Sequence, residues 1–204
     1  MCCLVVGAGP VGLVLANECA RFGLSYRLVE KLTEQSTWSK ALMITSRTMF
    51  ILENIGLHEE ILSRGTVVEG MQGMFNQREI GALTMNIVRD PTVRYPFPIV
   101  LPQPDIEDAF EHVLNQRGGH IERGCEVVKI DVLNDYAEVA LKSGEVIRAK
   151  YVVGCDGAHS VVRHCQPWTF QGHPVNILWA QCDGLVKDQN VPTTRAAFFL
   201  GKTG

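Results

Sequence analysis

What this chain lacks narrows its class before any motif is read. No stretch approaches the roughly 20 consecutive apolar residues of a membrane-spanning helix, and no internal repeat or low-complexity tract interrupts it. Neither sign of charge dominates: 19 Lys and Arg stand against 22 Asp and Glu, for a net charge of −3 and a pI near 6.1. That balance offers no basic field to nucleic acid. The seven cysteines form no CxxC pair, and their odd number, spread through apolar stretches, fits reduced thiols rather than a disulfide framework. A cytoplasmic setting is expected on that ground. The six histidines show no HxH or HExxH spacing, so no metal site is predicted, and no GxSxG elbow presents a serine nucleophile. The apolar N-terminus lacks the basic leading region of a signal peptide. It is also broken by glycines and Pro10 and carries Asn17 and Glu18.

What is present is an ordinary globular composition, 46 % hydrophobic and 20 % charged. The 204 residues suit one large domain, or a domain with a small companion, and can bury about 70 % of the unfolded surface. The most informative stretch is the beginning, where an apolar run through Val6 meets Gly7-Ala8-Gly9-Pro10-Val11-Gly12 and then Leu13-Val14-Leu15-Ala16. This spells strand, tight turn and helix. Gly7 makes the turn, Gly9 lets backbone N–H groups approach a pyrophosphate, and Gly12 lets the helix pack against the strand. A second apolar run, Tyr26 to Val29, ends in Glu30, about 20 residues on, where such units place the carboxylate that binds ribose hydroxyls. A carboxylate there repels a 2′-phosphate, so the nucleotide expected at this turn is FAD or NAD rather than NADPH.

Beyond a polar connection over 31–40, Thr45 or Ser46 caps a predicted helix with Phe50, Ile51, Leu52 and Ile55 as its apolar residues and Gly56 as its stop. A short helix over 57–64 follows. From 66 to 100, β-like runs broken by Gly70, Gly73, Gly81, Pro91, Pro96 and Pro98 imply an excursion into a second sheet. Residues 104–117 return to helix: Pro104 suits a first turn, Asp105 and Glu107 its positive end, and Ile106, Phe110, Val113 and Leu114 one face. Val128, Ile130 and Val132 alternate, as do Ala137, Val139 and Leu141, with Asn134-Asp135 and Ser143-Gly144 as turns. Residues 126–150 therefore read as an antiparallel meander lying over the nucleotide-binding sheet. Tyr151-Val152-Val153 reads as a buried strand leading to Cys155-Asp156-Gly157, and two more β-like stretches, 175–187 and 194–200, follow.

Three stretches together resemble the FAD-dependent aromatic hydroxylases, the single-component flavoprotein monooxygenases that include para-hydroxybenzoate hydroxylase and phenol hydroxylase. The first runs from Gly7 to Glu30. The second is Ser39-Lys40-Ala41 with Glu53-Asn54-Ile55-Gly56-Leu57 and Leu101-Pro102-Gln103. The resemblance implies that Lys40 and Gln103 contact the pyrophosphate and ribityl chain of the flavin. Lys40 stands where the family more usually has Arg, which keeps the charge and loses the bidentate fork. The third, Cys155-Asp156-Gly157-Ala158-His159-Ser160-Val161-Val162-Arg163, resembles the family's Asp-Gly-x-x-Ser-x-x-Arg motif, used for the flavin and for transient NADPH. In it a carboxylate at a strand end can accept a hydrogen bond or hold a basic partner, and Gly157 permits a tight turn. Ser160 can cap the next helix, and Arg163 can bind that carboxylate or a phosphate.

The resemblance implies an α/β fold, a Rossmann-like FAD-binding domain (GR2-type) over 1–65 and 99–165 with a β-meander. Part of a β-sheet substrate domain would occupy 66–98 and 166–204. Gly7, Gly9, Pro10, Val11, Gly12, Glu30, Lys40, Ala41, Gln103, Asp156, Gly157 and Arg163 are the implied cofactor-binding residues; no catalytic residue is assigned. The implied cofactors are bound FAD and NADPH or NADH as a transient electron donor. The implied reaction hydroxylates a phenolic or polyketide-like aromatic with O₂. The family also carries a later Gly-Asp motif, and this sequence contains no Gly-Asp dipeptide. The expectation is therefore the N-terminal half of such an enzyme, with exposed strand edges, weak FAD retention, and a second chain or a C-terminal half as partner. A non-catalytic, partner-dependent FAD-binding chain is the alternative from another class, and a prenyl reductase or halogenase relative a further one. Trp38, Trp168 and Trp179 are candidates for stacking or for core filling. Tyr95, beside Pro96-Phe97-Pro98, is the candidate substrate-facing phenol, and Cys182-Asp183-Gly184 is read as a turn.

Overall fold

Four consecutive apolar residues form β1 (Cys3–Val6), and all four are buried, as a parallel strand covered on both faces requires. The computed structural model of the chain describes residues 1–37, 43–76, 78–84, 92–173 and 194–201. β1 lies between β2 (Tyr26–Glu30) and β12 (Tyr151–Gly154), parallel to both, and β8 (Glu122–Arg123) continues the sheet in the order β12-β1-β2-β8. The period of two along β1 sends its side chains into two different cores. Cys3 and Val5, with Leu28 of β2, pack with Leu13, Ala16 and Cys19 of α1 (Pro10–Arg21) and with Ala109, Phe110, Val113 and Leu114 of α4 (Gln103–Gln116). Leu4, Val6 and Val29 pack instead against the meander of β9 (Val127–Val132), β10 (Ala137–Leu141) and β11 (Val146–Ala149). The parallel sheet is thus the middle of three layers, with helices on one side and the antiparallel meander on the other, in the order β11-β10-β9.

In β10 the expected alternation holds, with Ala137, Val139 and Leu141 all buried. In β9 it does not: Val127 and Ile130 are buried, whereas Val128 and Val132 are exposed. Val132 pairs with Ala137 in step with Ile130 and Val139 and is exposed as the last residue of the strand. For Val128 the cause is a register shift between Ala140 and Leu141, which pairs Leu141 with Val127 while Ala140 pairs with Lys129. An extra residue in one strand turns the following side chains to the other face. Tyr151 is likewise exposed rather than buried, because β12 forms an edge of the sheet among the described residues.

Helix α2 (Ser46–Asn54) starts where a cap is available, the Thr45 Oγ1 accepting from the Thr48 N–H at 3.4 Å. Its inward residues are Met49 and Leu52; Phe50 and Ile51, expected on the apolar face, are exposed. Ile61 of α3 (His58–Arg64) joins the same core. There it meets Ile44 and Ile99 of a small sheet in which β7 (Ile99–Val100) lies between β3 (Met43–Ile44) and β4 (Thr66–Val67). A separate sheet has the order β13-β5-β6: β5 (Gly70–Phe75) pairs antiparallel with β6 (Arg78–Thr84) and parallel with β13 (Arg195–Leu200). The expected stretch at 175–187 and residues Trp38, Trp179 and Cys182 lie outside the described residues. Among the described residues no helix is long and apolar enough to cross a membrane.

One polar network ties the helical layer together. Asn17 is wholly buried in α1. Its Nδ2 donates to the carbonyls of Leu13 and of Phe110 in α4, each at 3.0 Å. Arg117 donates to Asn17 Oδ1 at 3.0 Å and, at 2.7 Å, to the carbonyl of Ile55 at the end of α2. Asn17→Ala strips partners from a buried carbonyl and a guanidinium at once, and about 1–3 kcal/mol of stability is expected to be lost. Urea unfolding followed by circular dichroism measures it, and an unchanged midpoint contradicts this role.

Candidate dinucleotide site

Where β1 ends, Gly7 turns the chain with φ of +102°, and its N–H donates to the Val29 carbonyl at 2.8 Å. A Cβ at Gly7 would lie 2.6 Å from the Cys155 carbonyl oxygen and 2.9 Å from the Asp156 Cα. A Cβ at Gly12 would lie 1.9 Å from the Gly7 carbonyl oxygen. Both glycines are demanded by the protein's own packing. Gly9 is different: its φ of −71° is ordinary, and nothing in the protein comes within 4 Å of a Cβ placed there. Gly9 is the N-cap of α1, Pro10 stands in the first turn, and neither a side-chain cap nor an acidic residue covers that end. Val11 beside it is 69 % exposed. An uncovered helix N-terminus at the C-terminal edge of a parallel sheet attracts an anion, and the missing side chain at Gly9 keeps the approach open.

Glu30 closes the other side of this turn. Its Oε2 accepts from the Ala8 N–H at 2.8 Å and its Oε1 from the Leu32 N–H at 3.0 Å. Each oxygen has a further lone pair for a hydroxyl donor, so the carboxylate is oriented without being used up.

The Asp-Gly motif reaches the same place. The Cys155 N–H donates to the Val6 carbonyl at 2.7 Å, which sets Asp156 beside the Gly7 turn. Burial, with the Asp156 charge adding to it, pushes the Cys155 thiol pKa up. Asp156 Oδ2 accepts from the Val162 N–H at 3.2 Å, whereas Oδ1 is buried with no partner. Gly157 follows with φ of +76°. Ser160 is a helix cap, its Oγ accepting from the Arg163 N–H at 3.0 Å at the start of α5 (Val161–His164). Of the partners open to Arg163, the carboxylate is not the one used. Its Nη2 donates to the Ala158 carbonyl at 2.9 Å, and its guanidinium lies 4.6 Å over the Phe170 ring.

Gln103 is the first residue of α4, and its Nε2 donates to Glu107 Oε1 at 2.8 Å. Lys40 and Ala41 lie outside the described residues. Tyr95, the candidate substrate-facing phenol, is buried in the helical core with its ring edge-on to His58, centroids 6.4 Å apart. Burial first, then Glu53, raises its phenol pKa. Trp168 is 65 % exposed and lines a groove of about 580 Å³ beside β12 with Val132, Leu133, Tyr136 and Tyr151. Two residues linked to Gln103 carried no binding expectation, Glu107 and Gln35. Gln35 Nε2 donates to the Pro104 carbonyl at 2.7 Å, a contact across 69 residues that no local spacing encodes.

The chain matches a family model described as an FAD binding domain over residues 1–200. The chain belongs to the FAD-binding domain family. Rifampicin monooxygenase of Streptomyces venezuelae is 34 % identical over 174 residues, covering 85 % of this chain and 35 % of that protein. Pentachlorophenol 4-monooxygenase of Sphingobium chlorophenolicum is 31 % identical over 206 residues, covering 98 % of this chain and 38 % of that one. The crystal structure of p-nitrophenol 4-monooxygenase from Pseudomonas putida superposes with a TM-score of 0.76 at 27 % identity, covering 84 % of this chain and 44 % of the other. This FAD-binding domain thus spans little more than a third of the two curated relatives.

Two features of the domain fit a bound dinucleotide: the open approach at Gly9 and the unpartnered buried Asp156 Oδ1. They lead to a contrast in the cofactor-free protein. Gly7→Ala, which meets backbone atoms and a positive φ, is expected to destabilise by more than about 2 kcal/mol. Gly9→Ala is expected to change stability by less than about 0.5 kcal/mol. Thermal unfolding of both variants checks this, and equal losses would contradict the assignment of Gly9 to a ligand.

Proposed function

We propose that this domain holds FAD for a flavin-dependent monooxygenase that uses NAD(P)H and O₂ to hydroxylate an aromatic or phenolic small molecule. The observation that carries the reading is the Glu30 carboxylate, held by two backbone N–H groups beside an uncovered helix N-terminus. In this reading Glu30 accepts hydrogen bonds from the ribose hydroxyls. The first turn of α1, reached over Gly9 and flanked by Pro10, Val11 and Gly12, receives the pyrophosphate. Lys40, Ala41 and Gln103 contact the pyrophosphate and ribityl segment, and Asp156, with Gly157 and Arg163 of its motif, faces the flavin and the electron donor. FAD, when bound, supplies the redox and oxygen chemistry. The protein binds and orients it and excludes water.

Because Glu30 repels a 2′-phosphate, NADPH is disfavoured as the resident nucleotide at this turn, and in this reading NADPH or NADH acts as a transient electron donor. The similarity to rifampicin, pentachlorophenol and p-nitrophenol monooxygenases supports an aromatic substrate. The six free thiols among the described residues support a reducing, cytoplasmic setting. The share of the relatives that the chain spans, 35 % and 38 %, favours a second reading, in which the domain binds FAD but needs further polypeptide for turnover.

One experiment separates the readings. The FAD-loaded chain is mixed aerobically with NADPH or NADH and p-nitrophenol. Oxidation of the donor with a product carrying one additional oxygen atom supports the monooxygenase, and retained FAD with no oxidation supports the partner-dependent reading. Glu30→Arg is expected to weaken FAD binding by more than about 100-fold, since it replaces a ribose acceptor with a donor of the wrong charge. Unchanged affinity would sink the nucleotide assignment.

A further inference from the structure

Among the described residues Glu107 is the one buried carboxyl group, 8 % exposed on the second turn of α4. Its two oxygens meet two side-chain amides: Oε1 accepts from Gln103 Nε2 at 2.8 Å, and Oε2 lies 3.4 Å from Gln35 Nε2. Gln35 is pinned further by its 2.7 Å bond to the Pro104 carbonyl in the first turn of the same helix. A glutamine amide has two chemically opposite ends, one donating and one accepting, and it can present either by rotating about its last bond. A carboxylate only accepts. Facing Glu107, Gln103 must turn its Nε2 inward and its Oε1 away.

We propose that Glu107 is a positioning residue for the cofactor site, acting through Gln103 and Gln35. It selects the orientation in which Gln103 meets the cofactor. Through Gln35 it also ties the segment after Glu30, which leads towards Lys40, to the first turn of α4. Two segments about 70 residues apart are thereby held in one geometry before a ligand arrives, which lowers the ordering cost of binding. The proposal rests on the reading of Gln103 as a cofactor contact.

The test uses Glu107→Gln, which keeps the shape but brings its own donor, and Glu107→Asp, which keeps the acceptor but withdraws it by one methylene. The first readout needs no cofactor. In ¹⁵N–¹H spectra of the cofactor-free chain, the Gln103 side-chain amide protons are widely split by the bond to Glu107. In Glu107→Asp, which withdraws the acceptor, the splitting is expected to narrow; persistence of the wild-type splitting there overturns the proposal. The second readout is the Kd for FAD from flavin fluorescence. Glu107→Gln is expected to weaken binding about fivefold to tenfold and to have a clearly smaller effect in a Gln103→Ala background, where only the Gln35 route remains. Equal losses in both backgrounds overturn the proposal in favour of a purely structural Glu107. If the wild-type chain binds no FAD, that failure belongs to the nucleotide reading, and the amide spectra alone decide the orienting role. If Glu107→Gln does not fold, Glu107→Asp carries both measurements.

Discussion

The contact between the Gly7 turn and the Cys155–Asp156 backbone is the constraint on which the site depends. With Cβ–backbone distances of 2.6 to 2.9 Å for any side chain at Gly7, only glycine lets the end of β1 pass so close to the end of β12. That approach brings together two motifs nearly 150 residues apart, one ending a strand with a helix N-terminus, the other with an aspartate whose Oδ1 is buried. Gly12 repeats the device one helical turn later, seating α1 under the Gly7 carbonyl and so aiming its positive end across the edge of the sheet. Enlarging either glycine would tilt α1 and separate the motifs.

The remaining structure holds this edge rigid from both sides. Two cores, one helical and one from the meander, meet at a strand only four residues long. Each is stiffened by polar groups whose partners are supplied by a neighbouring element. Asn17 and Arg117 join α1, α4 and the end of α2, while Arg27 of β2 pairs with Glu122 of β8 and with Glu145 at the turn before β11. The Arg27 pairs are partly exposed and add little energy, but they set the spacing between sheet and meander. Glu30 and Glu107 apply the same logic at the site itself: each carboxyl group is oriented by N–H donors, so the geometry precedes the ligand.

Much of this was legible in the sequence, and the pattern of successes is physical. Glycines that must be glycine for steric reasons leave a local signature, so β1, α1, β2 and the turn at Gly7 to Gly12 follow from spacing alone. The alternation in β10 is legible because both of its neighbours are strands of one meander. The alternation in β9 misleads because a one-residue bulge, set by pairing with β10, decides whether Val127 or Val128 turns inward. Phe50 and Ile51 are apolar yet exposed, and Tyr95 sits beside a proline-rich turn yet is buried; in each case tertiary packing overrides local composition. The link from Gln35 to Glu107 spans 72 residues and has no periodicity to reveal it. Arg163 could bind the Asp156 carboxylate or a phosphate on sequence grounds; its guanidinium instead meets the Ala158 carbonyl and the Phe170 ring, contacts that no motif encodes.

In the proposed reading the groups gathered at the sheet edge recognise adenosine ribose and pyrophosphate, which makes nucleotide selectivity the sharpest test. Calorimetric titration of the cofactor-free chain with FAD, ADP and FMN separately is the measurement to make. The account predicts that ADP binds and competes with FAD for one site, and that FMN, which lacks the adenosine monophosphate half of FAD, neither binds at that site nor competes. Binding of FMN with displacement of FAD, together with no binding of ADP, would contradict it.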